Sequence, residues 1–169
     1  MSNTESSNPV HIRSMQLEDL PRVVAIDQQS FSLPWPERSF RFEVESNEVS
    51  RCWVAEMTAA DDQLELVGMI VVWLIVDEVH VATLAVSPEH RGQKVAQRLL
   101  AYALIDAYHA GANKSLLEVR RSNLPAVNLY QQFGYLQAAV RKNYYKDNGE
   151  DALLMDLASI DLEKLKTFL

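Results

Sequence analysis

An apolar run that breaks into a short polar loop and opens directly onto an amphipathic helix, HVATLAVSPEHRGQKVA from His80 to Ala96, constrains this chain more than any other feature. The first backbone N–H groups of a helix lack intrahelical partners and lie at the positive end of its dipole, so a junction of this kind favours a bound phosphate or pyrophosphate. Gly92 lets the backbone come close, and Arg91 and Lys94 add positive charge. On those residues alone, an ordinary strand-to-helix turn is an equal reading.

Periodicity around that junction predicts a mixed chain. His11 to Met15 reads as a short first strand, and Leu17 to Phe31 carries Leu17, Leu20, Val23, Val24 and Ile26 at helical spacing, with Glu18 and Asp19 suited to a helix start. Ser32, Leu33, Pro34, Trp35 and Pro36 break that helix, and a second is expected from Glu37 to Glu45. Arg51 to Met57 and Leu64 to Val76 read as a hairpin around the polar loop Thr58 to Gln63, followed by a strand from Val79 to Val86. A helix from about Lys94 to His109 presents Val95, Leu99, Tyr102, Ala103 and Ile105 on one side, with Gly111 as its stop. Lys114 to Val119 predicts a buried strand, Pro125 to Phe133 a short helix, and Tyr135 to Val140 and Asp151 to Leu157 two closing strands. That order specifies one α+β domain of α/β-type three-layer build, with a central mixed, mostly antiparallel sheet flanked by helices.

Composition narrows the function classes. With 169 residues, 48% of them hydrophobic, and only five glycines and six prolines, the chain suffices for one domain with a proper core. The single Cys52 excludes an internal disulfide framework and reads as a small buried apolar residue. His11, His80, His90 and His109 lack metal-ligand spacing, so no metal is expected. A net charge of −7 argues against a nucleic-acid surface and suits a cationic acceptor such as a protein amine. Met1 to Pro9 lacks the basic flank and apolar core of a secretion signal, and no apolar run approaches the ~20 residues that span a bilayer. The expectation is a cytoplasmic protein without membrane contact: a tail over 1–9, a domain over 10–158 and an extension over 159–169. Leu162, Leu165 and Phe168 of that extension, at helical spacing, either pack on the domain or mediate association.

Two residues stand out for chemistry. Glu118 lies within the apolar strand Leu116 to Val119, where a charge is unfavourable unless partnered or functional. Pairing with Arg120 or another cation across the sheet is one explanation; proton transfer is the other. Tyr130 falls three residues after Val127 and three before Phe133, which is ordinary core spacing.

The loop Arg91, Gly92, Gln93, Lys94, Val95, Ala96 resembles the acetyl-CoA pyrophosphate loop of the GCN5-related N-acetyltransferase (GNAT) superfamily. That loop runs Arg or Gln, two variable residues, Gly, one variable residue, then Gly or Ala. Ala96 fits, whereas Lys94 occupies the usual glycine position; a side chain held there at positive φ costs roughly 1 kcal/mol. Further on, LEVRRSNLPAVNLYQQFGY resembles the LEVR…SN…A…LY…GF signature of N-terminal protein acetyltransferases of the RimI type. The likeness continues through RKNYYKDNGEDALLMD and includes LPWPERSF upstream, so it spans nearly all of Ile12 to Leu157.

The resemblance implies acetyl transfer from acetyl-CoA to a protein N-terminus, with Glu118 as proton acceptor through water and Tyr130 as proton donor to the departing thiolate. It further implies that Leu84, Ala85 and Val86 offer backbone groups to the acetyl and pantetheine portion. Arg91, Gly92, Gln93, Lys94, Val95, Ala96 and Gln97 would hold the pyrophosphate, and Asn123 would touch CoA. Trp35, Tyr144 and Tyr145 match positions that shape a peptide groove, an alternative being plain interior or rim aromatics. The implied substrate is the N-terminal alanine of small-subunit ribosomal protein eighteen, and the implied assembly a monomer or weak dimer. Rival readings are a broader N-terminal, lysine or small-amine acetyltransferase, and a non-catalytic acyl-CoA-binding module.

Overall fold

The computed structural model of the chain describes residues 9–169, so the expected N-terminal tail lies outside it save for its last residue. Seven strands form one sheet: β1 (His11–Ser14), β2 (Ser50–Thr58), β3 (Leu64–Ile75), β4 (Glu78–Val86), β5 (Lys114–Arg120), β6 (Leu136–Arg141) and β7 (Ala152–Leu157), in the spatial order β1-β2-β3-β4-β5-β7-β6. Every neighbouring pair is antiparallel except β4 with β5. This is the mixed, mostly antiparallel sheet expected from the sequence.

Five helices cover its two faces: α1 (Leu20–Ser30), α2 (Glu37–Glu45), α3 (Val95–His109), α4 (Leu124–Phe133) and α5 (Leu162–Lys166). The predicted first helix is divided, because Leu17–Asp19 forms a 3-10 turn before α1 takes over with proline in its first turn. Leu20, Val23, Ile26 and Phe40 of α1 and α2 pack with Val54, Met69 and Val71 on one face. Leu99, Leu104, Tyr130, Phe133 and Leu165 of α3, α4 and α5 pack with Val72, Val79 and Leu117 on the other. The C-terminal segment is therefore part of the core: Leu165 is buried, and the Phe168 ring stacks on Phe133 with centroids 4.2 Å apart.

One irregularity sets the site. Val71 faces Thr83 and Val72 faces Val81, so Ala82 is an extra residue in β4. A bulge shifts the side-chain alternation by one and bends the strand. Accordingly Val79 and Val81 face α3, then Leu84 and Val86 do, while Ala82 and Ala85 turn toward α1 and α2. At the same place β4 leaves β5, whose parallel pairing ends at Val81 opposite Leu117. The two strands splay beyond it and open the sheet.

Candidate active site

Two cavities occupy the splay. The larger, about 480 Å³, runs along the end of β4 to the start of α3 and is closed by α4. Leu84, Ala85, Val86, Arg91, Gly92, Lys94, Val95, Ala96, Gln97, Asn123 and Tyr130 line it. Its lining carries Arg91, Lys94 and His90 and, among the described residues, no carboxylate. Local positive charge in a chain of net charge −7 marks an anion site.

The α3 end has the geometry such a ligand needs. Its first backbone donors lack intrahelical partners, and among the described residues no side chain caps them. Gly92 has φ of 77°, and nothing lies within 4 Å of where its Cβ would stand, so the backbone there is open to a ligand. Lys94 adopts φ of 64° as the N-cap residue, the left-handed conformation anticipated for the position where the GNAT loop usually has glycine. Of the residues expected around the pyrophosphate, Gln93 is not in the lining; its Nε2 turns back to the Glu89 carbonyl at 3.4 Å. Arg91 Nε donates to the Val86 carbonyl at 3.2 Å, tying the loop to the strand end. Asn123 Oδ1 accepts from the Ala126 N–H at 3.3 Å and so caps α4, a structural duty beside its place in the cavity wall.

The smaller cavity, about 260 Å³, lies on the β5 side and is lined by Glu118, Arg120, Trp35, Tyr145 and Leu33 among others. Phe31, Leu84, Asn123, Ala126 and Tyr130 line both cavities, so the two spaces meet at Tyr130. Tyr130 is buried, and desolvation pushes its phenol above the ordinary value, which keeps the hydroxyl protonated.

Glu118 does not stand alone in an apolar strand. It shares a face of β5 with Leu116 and Arg120, while Ser115, Leu117 and Val119 are buried on the other. Its Oε1 is 3.0 Å from Arg141 Nη1, and its side chain is one-third exposed. The cross-sheet ion pair expected as one explanation thus forms, with Arg141 as partner instead of Arg120. Tyr144 bonds to Glu118, which, with burial, raises the Tyr144 phenol above its usual range. Tyr144 therefore reaches the site through Glu118 and is not in the cavity lining, whereas Tyr145 is. The Trp35 backbone N–H donates to buried Asp27 Oδ2 at 2.7 Å, and its ring lies 5.3 Å from that of Phe40.

Sequence reasoning missed His90, Phe31 and Leu129 in the larger cavity and Leu33, Thr83 and Arg120 in the smaller. Arg120 was within reach, because strand alternation places it on the same face as Glu118. His90 and Leu129 adjoin Arg91 and Tyr130 in sequence, whereas Thr83, Phe31 and Leu33 depend on the bulge in β4 and on how α1 ends, which local spacing does not report. Among the described residues, no group of three or more His, Cys, Asp or Glu is placed to hold a metal ion, and no helix is long and apolar enough to cross a membrane.

A splayed parallel strand pair, an uncapped helix N-terminus flanked by cations and a second cavity meeting the first at a buried tyrosine form a site for an anionic ligand beside a second reactant. The chain belongs to the acetyltransferase (GNAT) family, whose model matches residues 20–135. It is an acetyl-CoA-dependent N-acetyltransferase. A Bacillus subtilis protein provisionally named ribosomal protein bS18-alanine N-acetyltransferase is 38% identical over 144 residues, 85% of this chain and 92% of that one. The Escherichia coli K12 ribosomal protein bS18-alanine N-acetyltransferase is 30% identical over 148 residues, covering 86% and 95% of the two chains. The crystal structure of an Escherichia coli ribosomal-protein-S18-alanine N-acetyltransferase superimposes with a TM-score of 0.78 at 28% identity, covering 90% of this chain and 96% of that one.

Proposed function

We propose that the chain acetylates the α-amine of a protein N-terminus, with the N-terminal alanine of ribosomal protein bS18 as its substrate. The observation that carries this is the junction of the two cavities at Tyr130, one lined by cations and the end of β4, the other by Glu118 and aromatic side chains. The first receives acetyl-CoA with the pyrophosphate on the α3 N-terminus, and the second receives the acceptor. The relatives' names supply the ribosomal substrate. A cytoplasmic location, where acetyl-CoA and ribosomal proteins occur together, fits the same reading. Both cavities are formed by one chain, so a monomer suffices.

In this mechanism Glu118 accepts a proton from the acceptor ammonium through water. The demand is modest: an N-terminal ammonium titrates at about 7.7–8.0, a lysine near 10.4. The free amine attacks the thioester carbonyl and a new C–N bond forms; the nitrogen of the tetrahedral adduct then releases its surplus proton to water, from which Tyr130 is reprotonated after the C–S bond breaks. Tyr130, held protonated by burial, donates its phenolic proton to the departing thiolate. Leu84, Ala85 and Val86 orient the acetyl and pantetheine portion, and Trp35 and Tyr145 wall the acceptor.

Steady-state kinetics of Glu118→Gln and Tyr130→Phe test these roles. Each variant is expected to lose ~10²–10⁴ in kcat with acetyl-CoA affinity retained. Wild-type turnover in both would refute the assignment.

A further inference from the structure

Arg120 lies two residues beyond Glu118 on the same face of β5, with a side chain only 20% exposed. Its Nη2 is 2.9 Å from Asp147 Oδ2 and 3.3 Å from Ser32 Oγ, and its Nη1 is 3.3 Å from Asn148 Oδ1. The guanidinium carbon sits 3.8 Å from the centroid of the Tyr145 ring. Ser32 Oγ donates to Asp147 Oδ2 at 2.5 Å, completing a triangle of three side chains. Ser32 belongs to the segment between α1 and α2, and Asp147, Asn148 and Tyr145 to the segment between β6 and β7. The contact thus joins two loops 115 positions apart in sequence. These same loops supply Leu33, Trp35 and Tyr145 to the smaller cavity.

We propose that Arg120 is a positioning residue that sets acceptor affinity, its guanidinium clasping the α1–α2 and β6–β7 loops together over the smaller cavity. The proposal rests on reading that cavity as the acceptor's. Surface ion pairs contribute little to global stability. A hub whose partners all lie on two cavity-walling loops instead orders those loops before the acceptor arrives, which lowers the entropy lost on binding. Both features of the hub need arginine: the planar fork reaches Asp147, Ser32 and Asn148 at once, and the flat face lies on Tyr145. A lysine supplies charge without the fork. Ser32 and Asp147 hold each other independently of the strand, so the loops can be unlatched from either side.

The test is steady-state kinetics with acetyl-CoA and a peptide bearing a free N-terminal alanine, compared across wild type, Arg120→Met, Arg120→Lys and Ser32→Ala, with amide hydrogen exchange over residues 32–36 and 143–150. In Arg120→Met the acceptor KM is expected to rise roughly tenfold while that for acetyl-CoA stays within about twofold and kcat falls less than acceptor KM rises. Exchange in both loops should quicken, Arg120→Lys should recover part of the loss, and Ser32→Ala should show the same split more weakly. An unchanged acceptor KM in folded Arg120→Met, or a parallel rise in both KM values, overturns the clasp. If Arg120→Met fails to fold, an unchanged acceptor KM and unchanged exchange in Ser32→Ala overturn it. Wild-type protein inert toward the peptide overturns the functional reading beneath it, an outcome distinct from active wild type with a silent Arg120 variant.

Discussion

Tyr130 and Lys94 carry the two least ordinary states of single residues in the site. Lys94 holds a left-handed backbone that glycine adopts at no steric penalty, a strain of roughly 1 kcal/mol retained where its ammonium lines the cation-bearing cavity. Tyr130 is a phenol buried against Tyr135, and burial raises both well above the ordinary tyrosine value; the Ser115 bond offsets part of the shift at Tyr135. Because the folded state binds these protons more tightly than the unfolded chain, their contribution to stability is fully present below about pH 10 and is lost as pH climbs above it. Ultraviolet difference titration should therefore leave at least Tyr130 and Tyr135 of the six tyrosines un-ionised at about pH 11 in the native protein, with Tyr144 and Tyr145 also ionising later than an ordinary tyrosine and the buried pair ionising only with alkaline unfolding. Full ionisation of all six near pH 10 with the fold intact would contradict the burial described for Tyr130.

Among the elements, α3 is the one whose seating decides the cofactor side. Gly68 of β3 permits it: a Cβ there would stand 3.0 Å from Leu99 Cδ1, 3.1 Å from Val95 Cγ1 and 3.2 Å from the Ala85 carbonyl. Val95 belongs to the first turn of α3 and Ala85 to the cavity wall, so bulk at Gly68 pushes the helix off the strand end. Gly68→Val is expected to lower stability by about 1–3 kcal/mol and to raise the acetyl-CoA KM more than the acceptor KM. Denaturant unfolding and two-substrate kinetics check this. Elements of this kind were legible from local spacing: the second helix, Glu37 to Glu45, forms with those bounds, and α3 begins one residue after the expected Lys94. What spacing could not give is non-local. The extra residue Ala82, the insertion of β7 between β5 and β6, and the pairing of Glu118 with Arg141 all depend on contacts far apart in sequence. Pro21 also delays the helix expected from Leu17, since it favours the first turn of α1 and leaves Leu17–Asp19 as a separate turn.

For the molecule as a whole, the three layers serve one opening. The bulge turns β4 away from β5, α3 presents its N-terminus on one side of the gap, and the loops after α1 and β6 wall the other. Charge distinguishes the two sides, with carboxylates absent, among the described residues, from the cation-lined α3 end, whereas in the other cavity Glu118 lies beside Arg120 and pairs with Arg141. The positive charge at the α3 end suits the anionic acetyl-CoA. The central claim is that the acceptor is a protein N-terminus. It is tested most directly by intact-mass measurement of two peptides incubated with the protein and acetyl-CoA. One peptide carries the free N-terminal alanine of the ribosomal protein; the other is blocked at that end and carries an internal lysine. The account predicts that a single acetyl group is added to the first peptide and none to the second. Acetylation of the blocked peptide alone, or of neither, would contradict it.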